Sequence, residues 1–271
     1  MIEYLIFYSI IRLCVLGVFL GRIIKKRAGT MEIIQLQNLT KVYKNRVAVD
    51  HLSFSINEGE VLGLLGFNGA GKTTTIKMLT GLAKPTSGDA LIFGKSITKH
   101  TNEIKQYLNV APQETAIAGN LTVYENLVFI ANIYGFTKEE AHNKAVEMLE
   151  KFRLTERKDD KAKKLSGGLK RRLSIAMALI SNPKIVFLDE PTLGLDIKAR
   201  RELWSTLNEL KGKVTIILTT HYLDEVEKQA DRIAIIDKGK LKIIGTLEEL
   251  KQHTNLNSLE DIFLRYTEGD I

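Results

Sequence analysis

Several stretches of this chain run apolar residues together without alternation: Tyr4 to Ile24, Glu60-Val-Leu-Gly-Leu-Leu65, Ile185-Val-Phe-Leu-Asp189 and Val214-Thr-Ile-Ile-Leu-Thr-Thr220. The last three are short and have no polar face, which is the pattern of strands covered on both sides in a parallel sheet. Other segments repeat apolar positions at helical spacing. These are Thr74 to Thr80, closed by Gly81; Leu169 to Ile180; and the pair Val123 to Tyr134 and Lys138 to Phe152, separated by Gly135. Buried strands interleaved with helices predict an α/β core.

The first apolar stretch is of another kind. Tyr4 to Ile24 is about as long as the roughly 20 residues a membrane span needs. Arg12 lies near its middle, however, where insertion costs roughly 2.5–3.5 kcal/mol. Lys25-Lys-Arg27 follows the apolar run instead of preceding it, and no Ala-x-Ala-like site appears, so a cleaved signal peptide fits poorly. Two readings stand side by side. Residues 1–30 are a membrane anchor or peripheral membrane helix, whose basic cluster would keep the remainder cytoplasmic; or they come from an upstream start that the cell seldom uses. Met31 opens a self-sufficient domain, residues 31–271, beginning Glu32-Ile-Ile-Gln-Leu. From there on no run of about 20 apolar residues occurs, so no translocation path is expected within this domain.

Composition changes the picture little. The 271 residues are 44% hydrophobic, enough for a proper core. The one cysteine, Cys14, excludes an intrachain disulfide and suits a reducing compartment. The net charge of +7 owes +4 to residues 1–30, where Arg12, Arg22, Lys25, Lys26 and Arg27 face Glu3 alone. The remaining +3 gives no reason to expect a nucleic-acid partner.

The chemistry sits at the ends of the predicted strands. Gly66-Phe-Asn-Gly-Ala-Gly-Lys-Thr-Thr74 follows the first of them and opens a helix, which is a complete phosphate-cradling loop. Gly66, Gly69 and Gly71 let backbone N–H groups turn toward phosphates, with Phe67, Asn68, Ala70 and Thr74 completing the loop. Lys72 adds a point charge, and the Thr73 hydroxyl can reach a magnesium ion. The helix N-terminus adds its dipole. Asp189 ends the second strand on the side where open α/β sheets bind ligands, placed to hold magnesium with Thr73 and the phosphates. Ser166-Gly167-Gly168 opens another helix and forms a second anion site. ATP and Mg2+ are the expected ligands.

Taken together these motifs are specific. Leu165-Ser-Gly-Gly stands with Ser166 23 residues before Asp189, and Gly194-Leu-Asp196 and His221 follow. From about Glu32 to the C-terminus the chain resembles the nucleotide-binding subunit of an ATP-binding cassette (ABC) transporter. The resemblance implies a P-loop NTPase cassette of the α/β class, with a mixed sheet near the phosphate loop and a helical subdomain inserted at about 114–164. It implies that Glu190 is the general base polarising the attacking water and that Gln113 reaches the metal. It further implies that His221 contacts the γ-phosphate and that Tyr43 stacks on adenine. Ser166, Gly167 and Gly168 would close over ATP held by a second ATP-binding subunit, identical or paralogous, with Asp196 linking the two sites.

A membrane-spanning permease would supply the translocation path and dock a helix against the inserted subdomain. The chain would then work peripherally at the cytoplasmic face of the membrane. Two positions depart from the common pattern: Leu169 where many relatives have Gln, and Phe67 where Pro is frequent. Leu169-Lys-Arg-Arg resembles the exporter-type branch, as does the tail Ser258 to Tyr266. The alternative is a soluble ATPase of the same type acting on ribosomes or DNA. Known examples carry two cassettes or a long coiled coil, features not found in this sequence.

Overall fold

A computed structural model describes residues 31–268. The apolar stretch Tyr4 to Ile24 and the basic cluster after it lie outside these residues. Strands β1 (Glu32–Tyr43), β2 (Arg46–Asn57), β3 (Val61–Leu65), β4 (Ser87–Ile92), β5 (Lys95–Ser96), β6 (Leu108–Ala111), β7 (Ile185–Asp189), β8 (Thr215–Thr220), β9 (Arg232–Asp237) and β10 (Lys240–Gly245) form two sheets. The helices are α1 (Lys72–Leu79), α2 (Thr101–Ile104), α3 (Val123–Ile133), α4 (Lys138–Lys151), α5 (Gly167–Leu179), α6 (Ile197–Asn208), α7 (Leu223–Gln229), α8 (Leu247–Thr254) and α9 (Leu259–Thr267).

The larger sheet has the order β10-β9-β3-β8-β7-β6. Its pairs are parallel except β9 with β10. The smaller sheet, β2-β1-β4-β5, is antiparallel throughout. The unalternating runs have a direct cause: both faces of the larger sheet are covered. Leu62, Leu64, Ile185, Phe187, Ile217, Ala234 and Ile236 point into a core shared with the antiparallel sheet and α1. Their neighbours Val61, Leu65, Val186, Leu188, Ile216, Leu218, Ile233 and Ile235 point into a second core with α3 to α6. Phe187 is fully buried, and burial of such a side chain contributes about 1.5–3 kcal/mol.

The helices start where local chemistry starts them. Thr122 and Glu125 form a capping box at α3, as Thr137 and Glu140 do at α4. The α3–α4 pair lies between β6 and α5 in sequence, so the two amphipathic segments read from spacing form adjacent helices. Helix α1 starts at Lys72, two residues before its apolar spacing, because Gly71 in the left-handed region ends the loop there.

Candidate active site

Strand register assembles the site. Leu65 pairs with Thr220, Asp189 with Thr219, and Ala111 with Leu188. The residues that follow these strand ends, Gly66, Glu190, His221 and Pro112-Gln113, are thereby brought to the same edge of one sheet. A cleft of about 380 Å3 opens there, lined by Tyr43, Arg46, Phe67 to Thr74, Gln113, Asp189 and Glu190.

The loop from Gly66 to Thr73 is shaped by close approach. A Cβ on Gly66 would lie 2.3 Å from the Ile236 carbonyl oxygen, and one on Gly71, at φ 111°, 2.6 Å from that of Ala48. Neither position tolerates a side chain. Lys72 is buried, and its ammonium donates to the carbonyls of Gly66 at 2.6 Å and Phe67 at 3.3 Å. Burial pulls the Lys72 pKa below its ordinary value, and attraction from Glu190 and Asp189 opposes that shift. Phe67 is half exposed, and its ring meets Phe263 of α9 edge-on at 5.0 Å.

Asp189 is held from two sides. The Thr73 hydroxyl lies 3.1 Å from Oδ2 and 3.3 Å from Oδ1, and Thr219 Oγ1 donates to Oδ1. Thr219 also fixes the next residue, because the Glu190 N–H donates to its carbonyl at 3.0 Å and to its hydroxyl at 3.1 Å. Glu190 has φ 50°, the left-handed region that a residue with a Cβ seldom occupies. Its carboxylate faces His221 Nδ1 at 3.1–3.2 Å. Oε2 is buried without an aligned donor, although that imidazole nitrogen is near.

Arg171 of α5 lies beneath these groups. Its guanidinium donates to the carbonyls of Asp189 at 2.6 Å and Pro191 at 3.0 Å, and also to that of Pro112. Burial pulls its pKa down to about 10, with Asp189 and Glu190 attracting the cation against that trend. It therefore stays charged at neutral pH.

The phosphate-loop residues, Tyr43, Gln113, Asp189 and Glu190 thus share one cleft, and His221 adjoins it through Glu190. Ser166, Gly167, Gly168 and Asp196 are not part of its lining. Ser166 caps α5, Asp196 caps α6 by accepting from the Ala199 N–H at 2.8 Å, and both are exposed. Gly168 packs near Leu195 and Ala199, so these two helix starts are neighbours. Sequence reasoning did not single out Thr219, Arg171 or Arg46. Thr219 becomes visible only through its pairing with Asp189, and Arg171 reads in sequence as one more charge in Lys-Arg-Arg.

The donor set suits a nucleotide and a hard cation. The first turn of α1 presents N–H groups without intrahelical partners, and Thr73 and Asp189 offer hydroxyl and carboxylate oxygens of the kind magnesium takes. A family model described as ABC transporter matches residues 49–193. The chain belongs to the ABC transporter family. It is an ATP-binding cassette with the α/β fold of that family's ATPases.

The linearmycin resistance ATP-binding protein LnrL of Bacillus subtilis (strain 168) is 44% identical over 80% of this chain and 70% of its own length. The phospholipid-transporting ATPase ABCA3 of Rattus norvegicus is 42% identical over 81% of this chain, which spans only 13% of that protein. A solved ATP-binding subunit of an ABC transporter superposes with a TM-score of 0.79 at 30% identity, covering 86% of this chain and 99% of that one. A nucleotide-free ABC cassette gives 0.75 at 29% identity, over 86% and 99%. Among the described residues no helix is long and apolar enough to cross a membrane.

Proposed function

We propose that this chain is the motor subunit of an exporter, hydrolysing ATP to drive transport through a separate membrane-spanning permease. The observation that carries this reading is the convergence of Lys72, Thr73, Asp189, Glu190 and His221 on one sheet edge, with Glu190 fixed through backbone and carboxylate alike. A resistance protein as relative supports export over action on ribosomes or DNA.

The residues divide the work. Backbone N–H groups from Gly66 to Thr74 bind the phosphates, and Lys72 balances their charge. Tyr43 offers its exposed ring to the adenine. Glu190 accepts a proton from the attacking water, while His221 orients that carboxylate and faces the γ-phosphate. Thr73, Asp189 and Gln113 would hold magnesium, which supplies neutralisation of phosphate charge when bound. Ser166, Gly167 and Asp196, which are exposed, and the half-buried Gly168, all outside the cleft lining, serve a second ATP-binding subunit. That arrangement works at the cytoplasmic face of the membrane, with the permease docked against the α3–α4 region.

Glu190→Gln tests the assignment. It keeps the shape and the backbone hydrogen bonds of the residue but removes the base. ATP binding by the full chain should persist while steady-state turnover falls by about 100-fold or more. Near-normal hydrolysis by the variant sinks the assignment of Glu190. Recovery of a polytopic membrane protein with the tagged chain in mild detergent tests the permease; its absence alongside ribosomal partners reverses the choice between transport and ribosome.

A further inference from the structure

Outside the nucleotide cleft, one connected set of side chains leads from the interior to His221. Thr192, fully buried, donates from Oγ1 to Glu225 Oε2 at 2.6 Å, and Glu225 is only 3% exposed. The other carboxylate oxygen, Oε1, lies 3.1 Å from Arg200 Nε, a charge contact in which the N–H is not aimed along the hydrogen-bond direction. Arg200 in turn lays its guanidinium over the Tyr222 ring, 4.5 Å from the centroid. The Tyr222 ring lies 4.3 Å from the His221 ring, with the two planes 36° apart. The Tyr222 backbone is pinned as well, since its N–H donates to Thr220 Oγ1 at 3.0 Å.

His221 needs such support. Its side chain is 41% exposed, and the ring torsion of histidine is broad, with two-fold preference only. One contact to Glu190 does not fix a ring against rotation; a stacked face does. Arg200 lies against the buried Glu225 carboxyl group, which anchors its guanidinium while the cation sits over the Tyr222 ring.

We propose that Arg200 and Tyr222 are positioning residues for hydrolysis, holding the His221 imidazole in line with Glu190 through an Arg200–Tyr222–His221 stack that Glu225 anchors. The proposal rests on the assignment of His221 to the hydrolytic site. It gives Tyr222 a role through its ring face and none through its hydroxyl, and it makes Arg200 act on turnover without touching the nucleotide.

The test measures ATP turnover and ATP binding by the full chain carrying Arg200→Ala, Tyr222→Leu and Tyr222→Phe, each alone and combined with His221→Ala. Arg200→Ala and Tyr222→Leu are expected to lower kcat by about tenfold or more with ATP affinity unchanged, since small misplacement of a catalytic group carries penalties of that order. Tyr222→Phe should keep the wild-type rate. In the His221→Ala background neither Arg200→Ala nor Tyr222→Leu should lower kcat further, because groups acting as one unit are non-additive.

Multiplying effects in the double variants, or a Tyr222→Phe as slow as Tyr222→Leu, overturn the proposal and leave His221 in its assigned role. Unchanged kcat in His221→Ala overturns both the proposal and that assignment. Thermal melting accompanies each variant. If Arg200→Ala fails to fold, Tyr222→Leu against Tyr222→Phe still decides the question.

Discussion

The guanidinium of Arg171 donates to the main-chain carbonyl of Asp189 at 2.6 Å, placing a buried cation directly under the acidic end of β7. Its other nitrogens reach the carbonyls of Pro191 and Pro112, so a single side chain ties the segment after β7 to the one that carries Gln113. Five donors in a rigid fork make arginine able to do this, and lysine unable.

Arg171→Met should therefore destabilise the fold, since two buried carbonyls, of Asp189 and Pro191, lose this donor at about 1–3 kcal/mol each and the part-buried Pro112 carbonyl loses it as well. Arg171→Lys should recover part of the loss and not all, because an ammonium cannot span the three acceptors. Urea denaturation of the three proteins gives the ranking; a Met variant as stable as wild type contradicts the clamp.

Thr219 carries a second prediction. Its hydroxyl serves Asp189 Oδ1 and accepts from the Glu190 N–H, and the residue is fully buried. Thr219→Val preserves shape and removes both bonds. Turnover should drop by about tenfold or more while the fold survives, the stability cost being about 0.5–1.5 kcal/mol for each lost bond, because the Glu190 N–H keeps the Thr219 carbonyl and Asp189 keeps the Thr73 hydroxyl. Steady-state kinetics beside a melting curve separates the two effects; equal kcat in the Val variant removes Thr219 from the site.

Glu60 offers a pH signature. It is buried at the head of β3, accepts from Asn57 at 2.8 Å and from Arg232 at 3.2 Å, and burial raises its pKa above the ordinary 4.5, Arg232 opposing. A carboxyl whose folded pKa exceeds its unfolded value stabilises the fold most when protonated. That contribution is complete below the unfolded value of 4.5 and declines as pH rises through the folded value above it. Wild type should thus lose stability relative to Glu60→Gln between about pH 4 and about pH 7. Denaturation midpoints at both pH values check the sign, and a difference that grows in favour of wild type refutes it.

Much of this was legible in the sequence, for physical reasons. β3, β7 and β8 read as buried strands because the larger sheet is covered on both faces, and a run as short as Ile185-Val-Phe-Leu without a polar face suits such a strand. The phosphate loop and Asp189 were legible because they stand at a helix start and a strand end that the residue pattern locates, whereas Glu190 and His221 were marked out by the resemblance to ABC cassettes. The antiparallel sheet was not. In β1 the alternation of faces is broken by register shifts between Leu36 and Leu39 and between Gln37 and Thr40, with Asn38 at φ 50°. Period-two patterning does not survive such bulges. Thr219 and Arg171 escaped for another reason: their partners are set by strand pairing and helix packing, neither of which is written locally.

The left-handed backbone of Glu190 has a consequence of its own. A residue with a Cβ at φ 50° costs roughly 1–2 kcal/mol over one at home there. Glycine or asparagine at 190 would release that cost and, under the proposed role of Glu190, give a hardier protein stripped of its base. Endurance and turnover pull this position in opposite directions. An engineering effort scored on heat resistance alone would drift toward a cassette that folds well, grips its nucleotide and never lets the cycle advance.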